Sequence, residues 1–337
     1  MAELGPAIHD LDAQRKEVDG GAAPTMTIEA TTIMWNSAWP LLILANLFWA
    51  GNIVLGRGVA GLIPPIALAY WRWTGAFLIA VGFAWPYLKR DGPVLLRHWR
   101  MMLLLSATGI ATYNTMSYIG LTSTTALNVL LLQSAGPLII IVWAFALFGD
   151  RPTLRQSAGV LLSLIGVAII AAHGSLETLL HLSLNRGDVW ILAAMVIYGV
   201  YAAMFRRRPA AHPLSFLVAT MGIGSMMILP AYVWEMMQGG RIHGGLPAWL
   251  AMAYIAVFPS FIAYLFFNRG IELIGAARAG QSWHLMPVFG SILAVLFLGE
   301  TFYAYHAFGI AMIGGGILLA SIKARPASQP MLNPNRT

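Results

Sequence analysis

Uncharged amides and aromatic rings are the side chains of this sequence best suited to hold a small molecule, and they recur inside long apolar stretches. In the first half these are Asn46, Trp49, Asn52, Tyr113, Asn114, Asn128 and Gln133; in the second, Tyr198, Tyr201, Tyr264, Gln281, Trp283 and His284. Amides can meet both ends of a zwitterion, and ring faces attract an ammonium group. Asn46 and Trp49 are three residues apart and share a helix face, as do Tyr198 and Tyr201. Trp and Tyr also form interfacial belts, and Asn and Gln also join helices, so it is the clustering that points to a pocket. Arg72 lies about two turns into an apolar stretch, where a charge costs on the order of 2.5–3.5 kcal/mol. Its planar fork suits a carboxylate or phosphate; the alternative is an arginine bonded to backbone carbonyls or reaching outward. His284 can line a cavity as a neutral imidazole, carry a proton, or simply fill space.

The acidic residues say as much by their positions. All thirteen fall in tails, loops or the ends of apolar stretches, so no mid-membrane proton relay is expected. Movement of a substrate down its own gradient is the expectation, with His284 the one candidate for any proton dependence. No phosphate-binding Gly-x-x-x-x-Gly-Lys loop occurs, no cysteine is present, and no His-Glu-x-x-His or deep carboxylate pair exists. No catalytic residue, metal ligand or cofactor is therefore expected, and a membrane enzyme lacks its acid–base parts. The absence of a charged ring disfavours a channel.

What positions these residues is a membrane. Hydrophobic residues make up 58% of the 337 and charged residues 10%, too few charges to cover a soluble surface. Stretches of roughly 20 residues, the length that crosses ~30 Å of hydrocarbon, run over 37–56, 64–85, 101–120, 124–148, 157–173, 188–205, 213–234, 248–267, 276–298 and 304–322. In lipid these must be helices, giving an all-α integral membrane fold of about ten spans. Lys89, Arg90, Arg97, Arg100, Arg151, Arg155, Arg206, Arg207, Arg208 and Arg269 fall on one side, against Arg57, Arg186 and Arg241 on the other. That asymmetry predicts both termini in the cytoplasm, and it accounts for the net charge of +7 without a nucleic-acid partner. The polar tails, 1–33 and 324–337, are expected to be disordered and cytoplasmic.

A shift of 150 residues aligns a segment of each half, 120–166 with 270–316, without a gap. Gly120 meets Gly270, Ala126 Ala276, Pro137 Pro287, Gly149 Gly299, Gly159 Gly309 and Gly166 Gly316, while Asp150 meets Glu300. The repeats, 37–173 and 188–322, would each hold five spans, so the second must insert upside down. Inverted repeats recur in secondary transporters, with the substrate site at the repeat interface near the midplane. Pro137 and Pro287 are candidate hinges, each expected to kink its span. Gly290, Ala294, Gly309 and Gly314–Gly316 are expected to let helices approach closely.

Those motifs resemble the drug/metabolite transporter superfamily, in particular its EamA-type ten-helix members. The carriers are Trp49-Ala50-Gly51-Asn52, Arg72 in Tyr70-Trp71-Arg72-Trp73, and the doubled pattern Pro137, Gly149, Asp150, Gly159 and Pro287, Gly299, Glu300, Gly309. Asp150 departs from the usual Glu, and Met221 stands near the position matching Arg72. The resemblance implies export of small metabolites across the inner membrane by alternating access, with amino acids foremost and a broader drug, metabolite or nucleoside-type carrier as the alternative. It leaves the coupling ion and the oligomeric state open, a monomer included.

Overall fold

A computed structural model describes residues 34–175, 177, 185–275, 279 and 282–321. The expected tails and Gln281 lie outside these residues. Every long element is helical, and no strand occurs among the described residues. The helices are α1 (Ala38–Gly58), α2 (Pro65–Arg97), α3 (Trp99–Leu105, Ser106–Thr112 and Tyr113–Leu121 in one run), α4 (Ala126–Gln133 and Gly136–Phe148) and α5 (Leu154–Ala171). The second half follows with α6 (Arg186–Met204), α7 (Pro213–Met237), α8 (Gly245–Val257, Phe258–Ile262 and Ala263–Ile274), α9 (a turn at Ser282–His284, then Leu285–Leu298) and α10 (Ala304–Ser321). Five segments are long and apolar enough to cross a membrane alone: α1, α2, the α6 segment, α7 and the α8 run. The two halves of α4 qualify together, α5, α9 and α10 are shorter apolar helices, and α3 completes a set of about ten.

Local chemistry starts and stops these helices. Thr153 and Gln156 form a reciprocal cap at α5, and Thr125 and Asn185 cap α4 and α6 through their side chains. Proline opens α2 and α7, where its missing N–H costs nothing. Gly149 and Gly299 end α4 and α9 in the left-handed conformation, φ 71° and 64°, which other residues adopt at a cost. Large apolar side chains such as Leu78, Phe83 and Trp85 point outward, as lipid contact requires.

The packing follows a two-fold pattern. α1 lies against α8 and α9, while α6 lies against α3 and α4, the same pairings carried over by five helices. α2 with α7 and α5 with α10 meet across the axis. At the second meeting a Cβ on Gly166 would stand 2.7 Å from the Gly309 carbonyl oxygen, so glycine there sets how closely α5 and α10 approach. Gly290 likewise makes room for Leu130, whereas Gly314 faces open space and has no such duty.

One expectation changes. The chain bends by 46° between the halves of α4, but Pro137 stands in the first turn of the second half, and Pro287 stands in the first turn of α9 after a tight turn. Neither kinks an unbroken helix; each opens a new segment, where proline is compatible with helix geometry. One acid at a span end is fully buried. Asp188 has 0% of its surface exposed, so position in sequence did not report burial.

Candidate functional site

Two π-helical turns build the centre of the molecule. They occupy Ser106–Thr112 of α3 and Phe258–Ile262 of α8, overlapping positions under the 150-residue shift. A π turn widens the helix and interrupts the regular backbone ladder, and such turns concentrate at functional sites. Asn114 Nδ2 donates to the carbonyls of Gly109 (3.1 Å) and Ile110 (3.2 Å), and Ser260 Oγ donates to that of Ile255 (2.8 Å). The same two side chains then hold Arg72. Arg72 Nε donates to Ser260 Oγ at 2.7 Å, and Nη1 donates to Asn114 Oδ1 at 2.9 Å and Tyr118 Oη at 3.0 Å. Tyr118 Oη in turn donates to Asn52 Oδ1 at 2.6 Å. Arg72 is 4% exposed, with its guanidinium carbon 4.5 Å from the Trp73 ring centre. Its partners are all neutral, and no carboxylate among the described residues pairs with it. The guanidinium is therefore positioned but not neutralised. Removing one partner of a buried ion pair is strongly destabilising for the same reason, so an incoming anion would find a charge already desolvated.

Beside it runs a row of rings. Trp49 lies 5.5 Å from Tyr264, 5.2 Å from Phe267 and 5.9 Å from Trp283, while its Nε1 donates to the Pro259 carbonyl of the π turn at 2.9 Å. Trp283 continues to Tyr198 at 6.1 Å, and Tyr198 to Tyr113 at 4.8 Å and Tyr201 at 5.6 Å. The row thus crosses from one repeat to the other. Gly109 permits it, because any Cβ there would strike the Tyr201 ring. Asn46 flanks the row, donating to Leu42 O (2.8 Å) and Ser282 Oγ (2.9 Å), with its Oδ1 unpartnered. Trp283 Nε1 and both amide atoms of Gln133, which ends the first half of α4 at the break, are also buried without partners. A native interior rarely leaves such groups unmatched without reason, and a polar ligand is one reason.

Of the residues expected from sequence, Asn46, Trp49, Tyr113, Tyr198, Tyr201, Tyr264 and Trp283 come together in this row, and Asn52, Arg72 and Asn114 in the adjoining network. Gln133 marks the break in α4. His284 belongs to the turn opening α9. Asn128 goes elsewhere: it is 1% exposed and bonded to His173 (3.2 Å) and His306 (3.0 Å), near the end of the bundle that holds Thr124. Tyr118, Ser260 and Ser282 were not singled out in the sequence. A lone serine or tyrosine carries no pattern, and only the π turns give these meaning.

This geometry belongs to a membrane carrier, and the comparisons with known proteins place the chain. The EamA-like transporter family matches it twice, over residues 36–172 and 185–322, so the chain belongs to that family. Relatives include an uncharacterized transporter, YyaM, of Bacillus subtilis (strain 168), 26% identical over 284 residues spanning 83% of this chain and 92% of that protein. A probable terminal-alkyne amino-acid exporter of Streptantibioticus cattleyicolor is 26% identical over 294 residues, covering 87% and 89%. A solved crystal structure shares the fold at a TM-score of 0.57 and 21% identity, covering 85% of this chain and 97% of that one. The protein is a multi-pass membrane transporter and not an enzyme.

Proposed function

We propose that this transporter exports small amphipathic metabolites bearing a carboxylate, amino acids foremost, across the inner membrane by alternating access, with both termini in the cytoplasm. The observation that carries the assignment is Arg72: a buried guanidinium held by three neutral acceptors, with no carboxylate among the described residues to balance it. The ring row and the unpartnered Asn46, Gln133 and Trp283 atoms supply an apolar wall with polar points beside it. An amino-acid cargo is also what the name of the Streptantibioticus cattleyicolor relative states for that protein. Either repeat alone lacks half the ring row, so exchange at their interface suits the inverted pairings of the helices.

Counterflow in proteoliposomes with a panel of labelled amino acids and their decarboxylated amines tests it. Amino acids should exchange and the amines should not. A charge-assisted hydrogen bond contributes ~1.5–3 kcal/mol, so Arg72→Gln should weaken half-saturation by roughly 10- to 100-fold, with Arg72→Lys in between. Exchange of the amines as readily as of the amino acids would overturn the carboxylate assignment.

A further inference from the structure

At one end of the bundle a second buried polar cluster joins the two repeats, and it contains the titratable groups that the central site lacks. Asp188, in the first turn of α6, is 0% exposed. It accepts from Thr124 Oγ1, and its other oxygen lies 3.5 Å from Asn128 Nδ2 and 3.9 Å from His173 Nε2. Asn128 Nδ2 is 3.2 Å from His173 Nε2, and Asn128 Oδ1 is 3.0 Å from His306 Nε2. Five elements meet there: the turn before α4, α4, the turn after α5, α6 and α10.

A backbone group fixes the proton positions. Tyr303 N–H donates to His306 Nδ1 at 3.0 Å, so that nitrogen is an acceptor and His306 is neutral with its proton on Nε2. His306 Nε2–H then donates to Asn128 Oδ1, which turns the Asn128 amide nitrogen toward His173 Nε2. His173 Nε2 accepts and carries no proton. Asp188 thus has the Thr124 hydroxyl on one oxygen and the Asn128 amide nitrogen, 3.5 Å away, on the other. No lysine or arginine among the described residues pairs with it. A carboxylate in the first turn of a helix is favoured by the helix dipole. That alone does not explain complete burial, or why the nearest cationic candidates are histidines, one from each repeat.

We propose that Asp188, Asn128, His173 and His306 form a proton-binding site that couples a proton to the opening of this end of the transporter. His173 is the entry: its side chain is 40% exposed while Asp188 is 0%. A proton arriving on His173 Nε2 displaces the Asn128 amide and creates a cation facing Asp188. Asn128 then loses one of the two bonds by which α4 bridges the α5 end and α10. The other titratable or charged groups facing the cluster are Tyr305, whose ring lies 5.8 Å from His173 and 4.1 Å from His306, and Tyr303 at 6.0 Å from His306. Glu300, which accepts from the N–H groups of Ala126 and Leu127, and Arg57, which donates to the carbonyls of Leu121 and Thr122, stand on its flanks. His173 also holds a left-handed backbone, φ 52°, the one non-glycine residue to do so among those described. The proposal rests on membership of a transporter family and not on the cargo assigned above.

The test needs no substrate. The chain has no cysteine, so Ser282→Cys, buried beside Asn46, can report access to the central site. The exposed Gln238→Cys, at the same end as Asp188, serves as reference. Right-side-out and inverted vesicles are labelled with an impermeant maleimide at about pH 5 and pH 8, the window in which histidine changes charge. On the side where Gln238→Cys reacts, labelling of Ser282→Cys relative to that reference should rise several-fold on acidification. The rise should vanish in Asp188→Asn. Labelling that does not change with pH, or an equal rise in Asp188→Asn, overturns the proposal. If Asp188→Asn does not insert, His173→Gln decides: loss of the rise supports the site, and an unchanged rise overturns it.

Discussion

The two Gly-acid motifs match in sequence and differ in what they hold. Glu300 reaches across to the other repeat and accepts from the N–H groups of Ala126 at 2.8 Å and Leu127 at 2.9 Å, capping α4 with both carboxylate oxygens. Asp150, its counterpart at the opposite end, accepts from Arg206 at 2.7 Å, and both side chains are about half exposed. The first arrangement sets a carboxylate on a helix N-terminus, where hydrogen bonds and the dipole add. The second is a surface ion pair, screened and entropically costly. The α2–α7 pair shows no such imbalance. There Glu235 of α7 caps Ile66 (3.1 Å) and Ala67 (2.7 Å), while Asp91 of α2 accepts from His212 N–H (2.8 Å), so each end is tied by an acid from the opposite helix. A helix pair pinned at both ends behaves as a scaffold; one pinned at a single end can swing about it. The difference predicts movement on the α4 and α9 side, where Pro137 and Pro287 stand in the first turns of new helical segments.

Breaking the stronger latch should have the largest effect. Glu300→Ala removes two charge-assisted hydrogen bonds of ~1.5–3 kcal/mol each, partly solvated, so a combined loss of about 2–3 kcal/mol is expected. Denaturant unfolding in detergent measures the loss. In vesicles the same change should increase labelling of Ser282→Cys from the Glu300 end. A stability loss with unaltered labelling would make Glu300 a plain helix cap and not a latch.

The glycines before the acids should behave alike, in contrast to the acids. Gly149 and Gly299 both sit at positive φ with open space where a Cβ would go, so strain is the whole cost of substitution. Gly149→Ala and Gly299→Ala should each cost ~1–2 kcal/mol, within a few tenths of each other by the same unfolding measurement. A clear inequality would mean that the two helix ends are not equivalent even in their backbones.

How much of this was legible in the sequence depends on the range of the interaction. Apolar stretches and the 150-residue repeat are properties of neighbouring residues, and the helices follow them. The apolar stretches 124–148 and 276–298 stop just before the glycines that end α4 and α9, and the faces of Trp49 and Tyr198 are joined through Trp283. The π turns were not legible, since Ser106–Thr112 and Phe258–Ile262 share no residue pattern that distinguishes them from ordinary helix. Without them, Ser260 could not be known as a partner of Arg72 across 188 residues. Asp188 opens a span after a polar loop, a position that says nothing of burial; Asn128, His173 and Thr124 close over it. Asn128 was drawn into the central site on residue type alone, and helix register sends it to that cluster instead.

The smallest effect is expected at Asp150, and it separates a motif from a function. Removing an exposed ion pair costs ~0.2–1 kcal/mol, so Asp150→Ala should lie near the limit of an unfolding measurement. Arg206 would not be left bare, because its guanidinium carbon lies 3.2 Å from the Phe148 ring centre and keeps that contact. The loss should also fade with salt, since both charges face water and the screening length falls to about 3 Å at 1 M. Comparing Asp150→Ala with the parent at low and high salt therefore tests the asymmetry itself. If Asp150→Ala costs as much as Glu300→Ala, and salt does not diminish it, then the acid at this end also caps a helix of the other repeat in a populated state. The transporter would then alternate between two equivalent latches, and the imbalance between Glu300 and Asp150 would belong to one conformation of the cycle.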